Sequence, residues 1–229
     1  PQAPVVIMIH GIGVNGKCKN EMILAQAMLW RQGINSLNMD MRNYGFSDNP
    51  DDLVAVGWKE YRDVLGAYDW LTENKGYDAG EIGLFGISGA GGAAIALMEE
   101  QGIASAWFDS AWLDWPLVVS NELGRLGYPQ FLAGPALRIG GWRVGVDFDQ
   151  TPPIELADNL NGREIYLQHA DGDTRVSVEH AELFKQRADD NGGNVTHWNV
   201  EGYNHVDVMW AFPEEYENRL GNFFKSSLS

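Results

Sequence analysis

Residues 81–94 read Glu81-Ile-Gly-Leu-Phe-Gly-Ile87-Ser88-Gly89-Ala90-Gly91-Gly92-Ala93-Ala94. An apolar run stops at one serine, and only glycine and alanine follow. Two backbone elements that approach closely need such small neighbours, because any larger side chain would sit between them. The run therefore predicts a strand that turns sharply at Ser88 into a helix. Gly86-x-Ser88-x-Ala90 is one residue short of G-x-S-x-G. A phosphate-binding loop is the competing reading of such a turn, but no Gly-Lys-Ser/Thr follows it.

The pattern of strand followed by helix repeats along the chain. Pro4 to His10 is a β-branched run, read as a strand buried on both faces. Asn20 to Trp30 is helical in composition, with Gly33 as its stop. Ile34 to Met39 is a second strand, and Leu53 to Glu73 carries apolar residues at helical spacing up to Gly76. After the third strand, Glu81 to Ile87, come strands over Ile103 to Asp109, Arg163 to His169 and Val195 to Val200. Helices are expected over Ser177 to Ala188 and from Pro213 to Phe224. This alternation predicts an α/β fold: a mostly parallel sheet of about six strands, covered by helices on both faces. The 229 residues suit a single domain. Residues 110–158 hold Trp112, Trp115, Phe131, Trp142 and Phe148 among Pro and Gly with little period. They read as a cap insertion within that domain.

Composition narrows the function. The formal net charge is −16, from 16 Lys and Arg against 32 Asp and Glu. Such a chain repels nucleic-acid phosphate and anionic surfaces, so no nucleic-acid partner is expected. Cys18 is the single cysteine, so no internal disulfide can form. There is no signal-peptide pattern and no membrane-length apolar run, which makes the cytoplasm the expectation; what precedes Pro1 stays open. No histidine pair has a metal-ligand spacing such as H-E-x-x-H, so neither a catalytic metal nor a cofactor is expected.

A serine hydroxyl needs a base to take its proton, and the base needs a third group to hold it. Strand 165–169 runs into Ala170-Asp171-Gly172-Asp173-Thr174-Arg175, and strand 196–200 into Glu201-Gly202-Tyr203-Asn204-His205. The order Ser88, Asp173, His205 is that of nucleophile, acid and base in one group of hydrolases. Asp109, at the end of the fourth strand, and Asp171 are the alternative acids. His10-Gly11-Ile12-Gly13 ends the first strand, where a glycine-rich loop can aim a backbone N–H at a carbonyl. Ile12 and Gly89 are the expected oxyanion-hole donors. His10 and His169 sit at strand ends and read as structural, and His180 as solvated. Trp112, Trp115, Leu117 and Phe131 are the expected substrate-binding residues, because ligand pockets are largely apolar and aromatic-lined.

HGIG at His10, DMRNYGFS at Asp40, GISGAGG at Gly86, HADGDTRV at His169 and GYNH at Gly202 together resemble the esterase/lipase-like α/β-hydrolase superfamily over essentially the whole chain. The resemblance implies Ser88 as nucleophile, Asp173 as acid, His205 as base, and Ile12 and Gly89 as oxyanion donors. It departs at Ala90, and at Asn43, which stands where glycine is usual in the Asp40 turn. Superfamily members also usually carry two strands ahead of HGxG, whereas nine residues precede His10. The implied activity is hydrolysis of a small-molecule carboxylic ester through an acyl-enzyme; the aromatic insertion and the acidic surface point to small to medium, largely apolar substrates. The same three residues could act on an amide, a thioester or a carbon–carbon bond. A non-catalytic binding module of hydrolase-like fold is the remaining alternative.

Overall fold

The computed structural model describes residues 2–12, 19–150 and 152–228. Gly13 and Cys18, named above, lie outside the described residues. β1 (Val5–Ile9), α1 (Ile23–Arg31), β2 (Asn35–Asn38), α2 (Tyr61–Lys75), β3 (Ile82–Ile87), α3 (Gly91–Glu99) and β4 (Ser105–Asp109) follow in order. α4 (Trp115–Arg125), α5 (Ala133–Val144), β5 (Glu164–Ala170), α6 (Glu179–Asp190), β6 (Asn194–Val200), α7 (Val208–Ala211) and α8 (Pro213–Ser227) complete the chain.

The six strands form one sheet in the order β2-β1-β3-β4-β5-β6, every neighbouring pair parallel. Alternate residues of each strand point to opposite faces. Val5, Ile7 and Ile9 therefore join Ile82, Leu84 and Phe108 under α2, α3 and α6. Val6, Met8, Phe85 and Trp107 meet α1 and α8 on the other face. Both faces are covered, so the central strands β1 and β3 are buried along their whole length instead of alternating, while the edge strands β2 and β6 are more polar and partly exposed. On the face of α1 and α8, Trp107 stacks on Tyr166 with ring centroids 3.8 Å apart.

The strand order reverses at β1. β2 lies on one side of it and β3 on the other, so the loops leaving β1 and β3 diverge at their carboxyl ends. Ligands bind in such crevices. The loops concerned are His10–Ile12 and Ser88–Ala90.

Two segments differ from the sequence expectation. Helix α2 begins at Tyr61 instead of Leu53. Val56 and Gly57 adopt positive φ (51° and 90°), which no helix accepts, and the Glu60 carboxylate gathers the N–H groups of Ala55 (2.9 Å) and Gly57 (2.8 Å). A Cβ on Gly57 would lie 2.6 Å from the Gly92 nitrogen, so this loop packs directly on the start of α3. Second, the aperiodic-looking stretch after β4 forms the helices α4 and α5, which pack on each other. Asp114 caps α4 by accepting the Leu117 N–H at 2.8 Å, with proline in the first turn.

The Asn43 departure has a simple cause. Asn43 has φ 64°, a left-handed conformation that asparagine tolerates better than most residues. The turn around it holds Asp40, whose carboxylate accepts from Lys19 N at 2.8 Å and Phe46 N at 3.1 Å. It is a structural turn.

Candidate active site

Three loops at the carboxyl edge of the sheet meet at Ser88. The serine has φ 51°, an uncommon conformation for a residue with a Cβ, and costly to hold. It is fixed by its neighbours: the Ser88 N–H donates to Asp109 O (2.9 Å) and its carbonyl accepts from Trp112 N (3.1 Å). A Cβ on Gly86 would come within 2.6 Å of the Ala90 methyl. Glycine at 86 thus makes room for alanine at 90, which accounts for that departure from the five-residue pattern.

The Ser88 hydroxyl lies 3.0 Å from His205 Nε2, and His205 Nδ1 lies 2.7 Å from Asp173 Oδ2. The structure thus brings all three expected residues into one hydrogen-bonded line. The Asp173 carboxylate is fully buried, while His205 is about one-fifth exposed. Asp173 Oδ1 also accepts from the backbone of Arg175 and Val176, both at 2.8 Å. Burial alone would raise the Asp173 carboxyl. The donors His169, His205 and Val176 outweigh burial and hold it well below the usual carboxylate range. Asp173 therefore remains an anion facing the imidazole.

His169, expected to be structural, stands beside this acid. Its Nε2 is 3.3 Å from Asp173 Oδ2 and 2.8 Å from Val176 O. Both neighbours accept, so Nε2 carries the proton and donates. The two other acids are occupied elsewhere. Asp109 is buried, which raises its carboxyl; it accepts from the Tyr216 hydroxyl at 2.5 Å and from the Gln168 amide at 2.8 Å, the amide being oriented with nitrogen toward Asp109. Asp171 Oδ1 accepts from Gly202 N at 2.6 Å and so ties the acid loop to the base loop.

Two positioning contacts escaped the sequence reading. The Asn204 side-chain oxygen accepts from the backbone of Thr174 (3.0 Å) and of His205 (2.8 Å), linking the same two loops. The Ser110 hydroxyl accepts from Val206 N at 3.1 Å, from the end of β4. Ser110 and Val206 both have positive φ. The adjacency of Asn204 to His205 was the available signal for the first; Ser110 carried none.

Next to Ser88 in the chain, the backbones of Gly89 and Ile12 lie against each other. A Cβ on Gly89 would fall 2.8 Å from Ile12 N and 2.4 Å from the Ile12 side chain. Neither N–H has an intramolecular acceptor among the described residues. Gly89 also precedes α3, whose N-terminus carries partial positive charge. His10 holds the first loop: Met41 N donates to its Nε2 at 3.1 Å, leaving Nδ1 to donate to Gly11 O at 2.8 Å.

The expected substrate-binding residues separate. Trp112 and Trp115 are buried in a cluster with Ile95 and Val176, against which Ile12 and Val56 pack. A Cβ on Gly91 would lie 2.3 Å from the Trp112 ring. Trp115 also borders an apolar groove of about 190 Å³, lined by Val54, Val56, Val118, Leu137 and Phe148. Leu117 is half-buried, and Phe131 is 80% exposed. His180, expected on a solvated face, is fully buried: its Nδ1 accepts from Leu113 N at 3.3 Å. Among the described residues no group of three or more His, Cys, Asp or Glu could hold a metal ion, and no helix is long and apolar enough to cross a membrane.

A parallel sheet in this strand order, a strained serine between β3 and α3, and an acid and a histidine after the last two strands define the α/β-hydrolase fold. Solved structures agree. An esterase of Pyrococcus furiosus, Pf2001, superposes with a TM-score of 0.77 at 24% identity, covering all of this chain and 85% of that one. The α/β hydrolase GrgF of Penicillium sp. sh18 gives a TM-score of 0.71 at 16% identity, over 99% of this chain and 91% of that one. In sequence, the thiohydrolase aneE of Aspergillus aculeatus is 31% identical over 94 residues, 40% of this chain and 28% of that protein. No protein-family model matches the sequence.

Proposed function

We propose that the protein is a serine hydrolase that cleaves carboxylic esters of small to medium, largely apolar substrates through an acyl-enzyme. The observation that carries this reading is the line from Ser88 Oγ to His205 Nε2 (3.0 Å) and from His205 Nδ1 to Asp173 (2.7 Å). His205 takes the Ser88 proton as Oγ attacks the carbonyl carbon. The resulting oxyanion is held by the N–H groups of Ile12 and Gly89, each such donor being worth about 3 kcal/mol in the transition state. Collapse expels the alkoxide, which receives the proton from His205 and leaves an ester on Ser88. Water then attacks that ester, again giving its proton to His205, and the acid departs as Ser88 recovers its hydrogen. Asp173 keeps the imidazole in the tautomer that presents Nε2 as base and stabilises its charged form. The groove beside Trp115 is the proposed seat of the apolar part of the substrate, with residues 110–158 serving as a cap over it.

A thioester is the second reading, favoured by the similarity to a thiohydrolase. The same steps apply with a thiolate as leaving group. Matched p-nitrophenyl esters and acyl thioesters graded by acyl length decide between them. Ser88→Ala is the blank, and its turnover is expected to fall at least ~10⁴-fold with the fold intact. Near-wild-type turnover in that variant would refute the proposal.

A further inference from the structure

Two adjacent glycines stand on the inner side of α5, and only one of them has a packing reason. A Cβ on Gly141 would lie 2.6 Å from Val146 O, so no side chain fits there. A Cβ on Gly140 would meet no atom within 4 Å, although the residue is half-buried and lines the groove beside Trp115. Glycine is the poorest helix former after proline, so alanine at 140 would make a better helix at no steric cost. What glycine leaves at this position is empty space, and that space belongs to the groove.

The groove holds about 190 Å³, and every residue lining it is apolar, Val119, Ala136 and Val144 included. The one polar side-chain atom among them, Trp115 Nε1, donates to Val56 O at 3.3 Å. A cavity of ~150 Å³ accepts a benzene ring, so this groove suits an uncharged hydrocarbon group of roughly six to eight carbons. A single apolar cluster joins it to the catalytic loops. Ile12 of the oxyanion loop packs against the cluster of Trp112 and Trp115, as do Val56, Val118, Leu137 and Phe148. Trp112 N in turn donates to Ser88 O at 3.1 Å. Either end of an ester could lie in such a groove. The leaving group, however, must stay within reach of His205 Nε2, from which it takes its proton. Among the described residues, none of the acid loop (171–176) or the base loop (201–206) lines the groove. It therefore lies on the oxyanion side, away from the departing group. Resting on the serine-hydrolase reading above, we infer that the groove receives the acyl chain of the substrate, an uncharged hydrocarbon of roughly six to eight carbons, and that Gly140 sets its length.

The test is a series of p-nitrophenyl esters from acetate to dodecanoate, run on the parent chain, Gly140→Ala and Gly140→Leu. Each buried methylene multiplies kcat/KM by about three to four. In the parent the value should therefore climb to about the hexanoate or octanoate and then level off. Gly140→Leu should lower the octanoate-to-acetate ratio of kcat/KM by at least roughly tenfold, and Gly140→Ala by a smaller factor, with neither variant melting below the parent. Across acetates of alcohols from methanol to octanol, Gly140→Leu and the parent should rank the alcohols alike. An unchanged octanoate-to-acetate ratio in Gly140→Leu overturns the inference, and so does a loss that follows the length of the alcohol. Binding without turnover is read on Ser88→Ala: methyl octanoate should raise its melting temperature, and should no longer do so once Gly140→Leu is added. Absence of that shift, or a shift that survives Gly140→Leu, overturns the inference whatever the chemistry at Ser88. A shift removed by Gly140→Leu, in a protein whose parent cleaves none of the esters, would uphold the chain-binding groove and overturn the reading of Ser88 alone.

Discussion

Asp173 receives four donors, and one of them comes from a residue that looked structural in the sequence. His169 Nε2 reaches both Asp173 Oδ2 and Val176 O, so it holds the same carboxylate oxygen that faces His205 Nδ1. A hydrogen bond to a charged acceptor is worth about 1.5–3 kcal/mol. His169→Asn is therefore expected to lower kcat by roughly tenfold or more, with KM for a soluble short ester unchanged, because His169 bonds to Asp173 and to the Val176 carbonyl and is buried away from the substrate. Steady-state kinetics check this. An unchanged kcat would show that the two backbone donors and His205 hold Asp173 unaided. What the sequence offered here was identity without geometry: Ser88, Asp173 and His205 were legible because each follows a strand in a loop with small or turn-forming neighbours. His169 and Ser110 were not, because their contacts depend on how far the strands reach past one another.

At the scale of elements, the elbow rests on the approach of β3 to α3. Gly86→Ala would place its methyl 2.6 Å from that of Ala90. Overpacking of this order costs about 1–3 kcal/mol. The expected result is a lower melting temperature and reduced turnover, with most of both recovered when Ala90→Gly is added. Failure of the second substitution to rescue the first would place the strain elsewhere. The parallel sheet and most strands were readable from apolar runs ended by glycine or polar residues, whereas the order of the strands was not. Helix α2 was over-extended in the sequence reading because Val54 and Trp58 continue the helical spacing, while Gly57 and the Glu60 carboxylate build a separate loop there. Helices α4 and α5 were missed for the converse reason. Gly134, Pro135, Gly140 and Gly141 mask the period of α5, and only the Asp114-Trp115-Pro116 cap announced α4.

Across the whole molecule, buried histidines tie stability to pH. Burial, aided by the neighbouring charge of His169, lowers His180 to about 3, and burial lowers His197 to about 4. An unfolded histidine titrates near ~6.5. Below that pH the unfolded chain takes up protons that folded His180 refuses, so stability falls as pH drops from ~6.5 toward 3, by up to about 1.4 kcal/mol per pH unit for one such group. Asp173 acts in the same direction at lower pH: its depressed folded value gives stability above the ordinary carboxylate range that is lost as acid protonates it. His180→Gln should therefore melt with a smaller drop between pH 7 and pH 5 than the parent chain. Equal drops would mean that His180 is protonated in the folded state. The net charge of −16 shrinks in acid in both proteins alike, so their difference isolates the histidine.

The central claim is that Ser88 is a nucleophile because His205 relieves it of its proton. A fluorophosphonate, followed by mass spectrometry of the digested chain, reads this directly. One adduct is expected, on the peptide containing Ser88, absent in Ser88→Ala and formed at least ~10³-fold more slowly in His205→Ala. No adduct on Ser88, or labelling at the same rate without His205, would contradict the account.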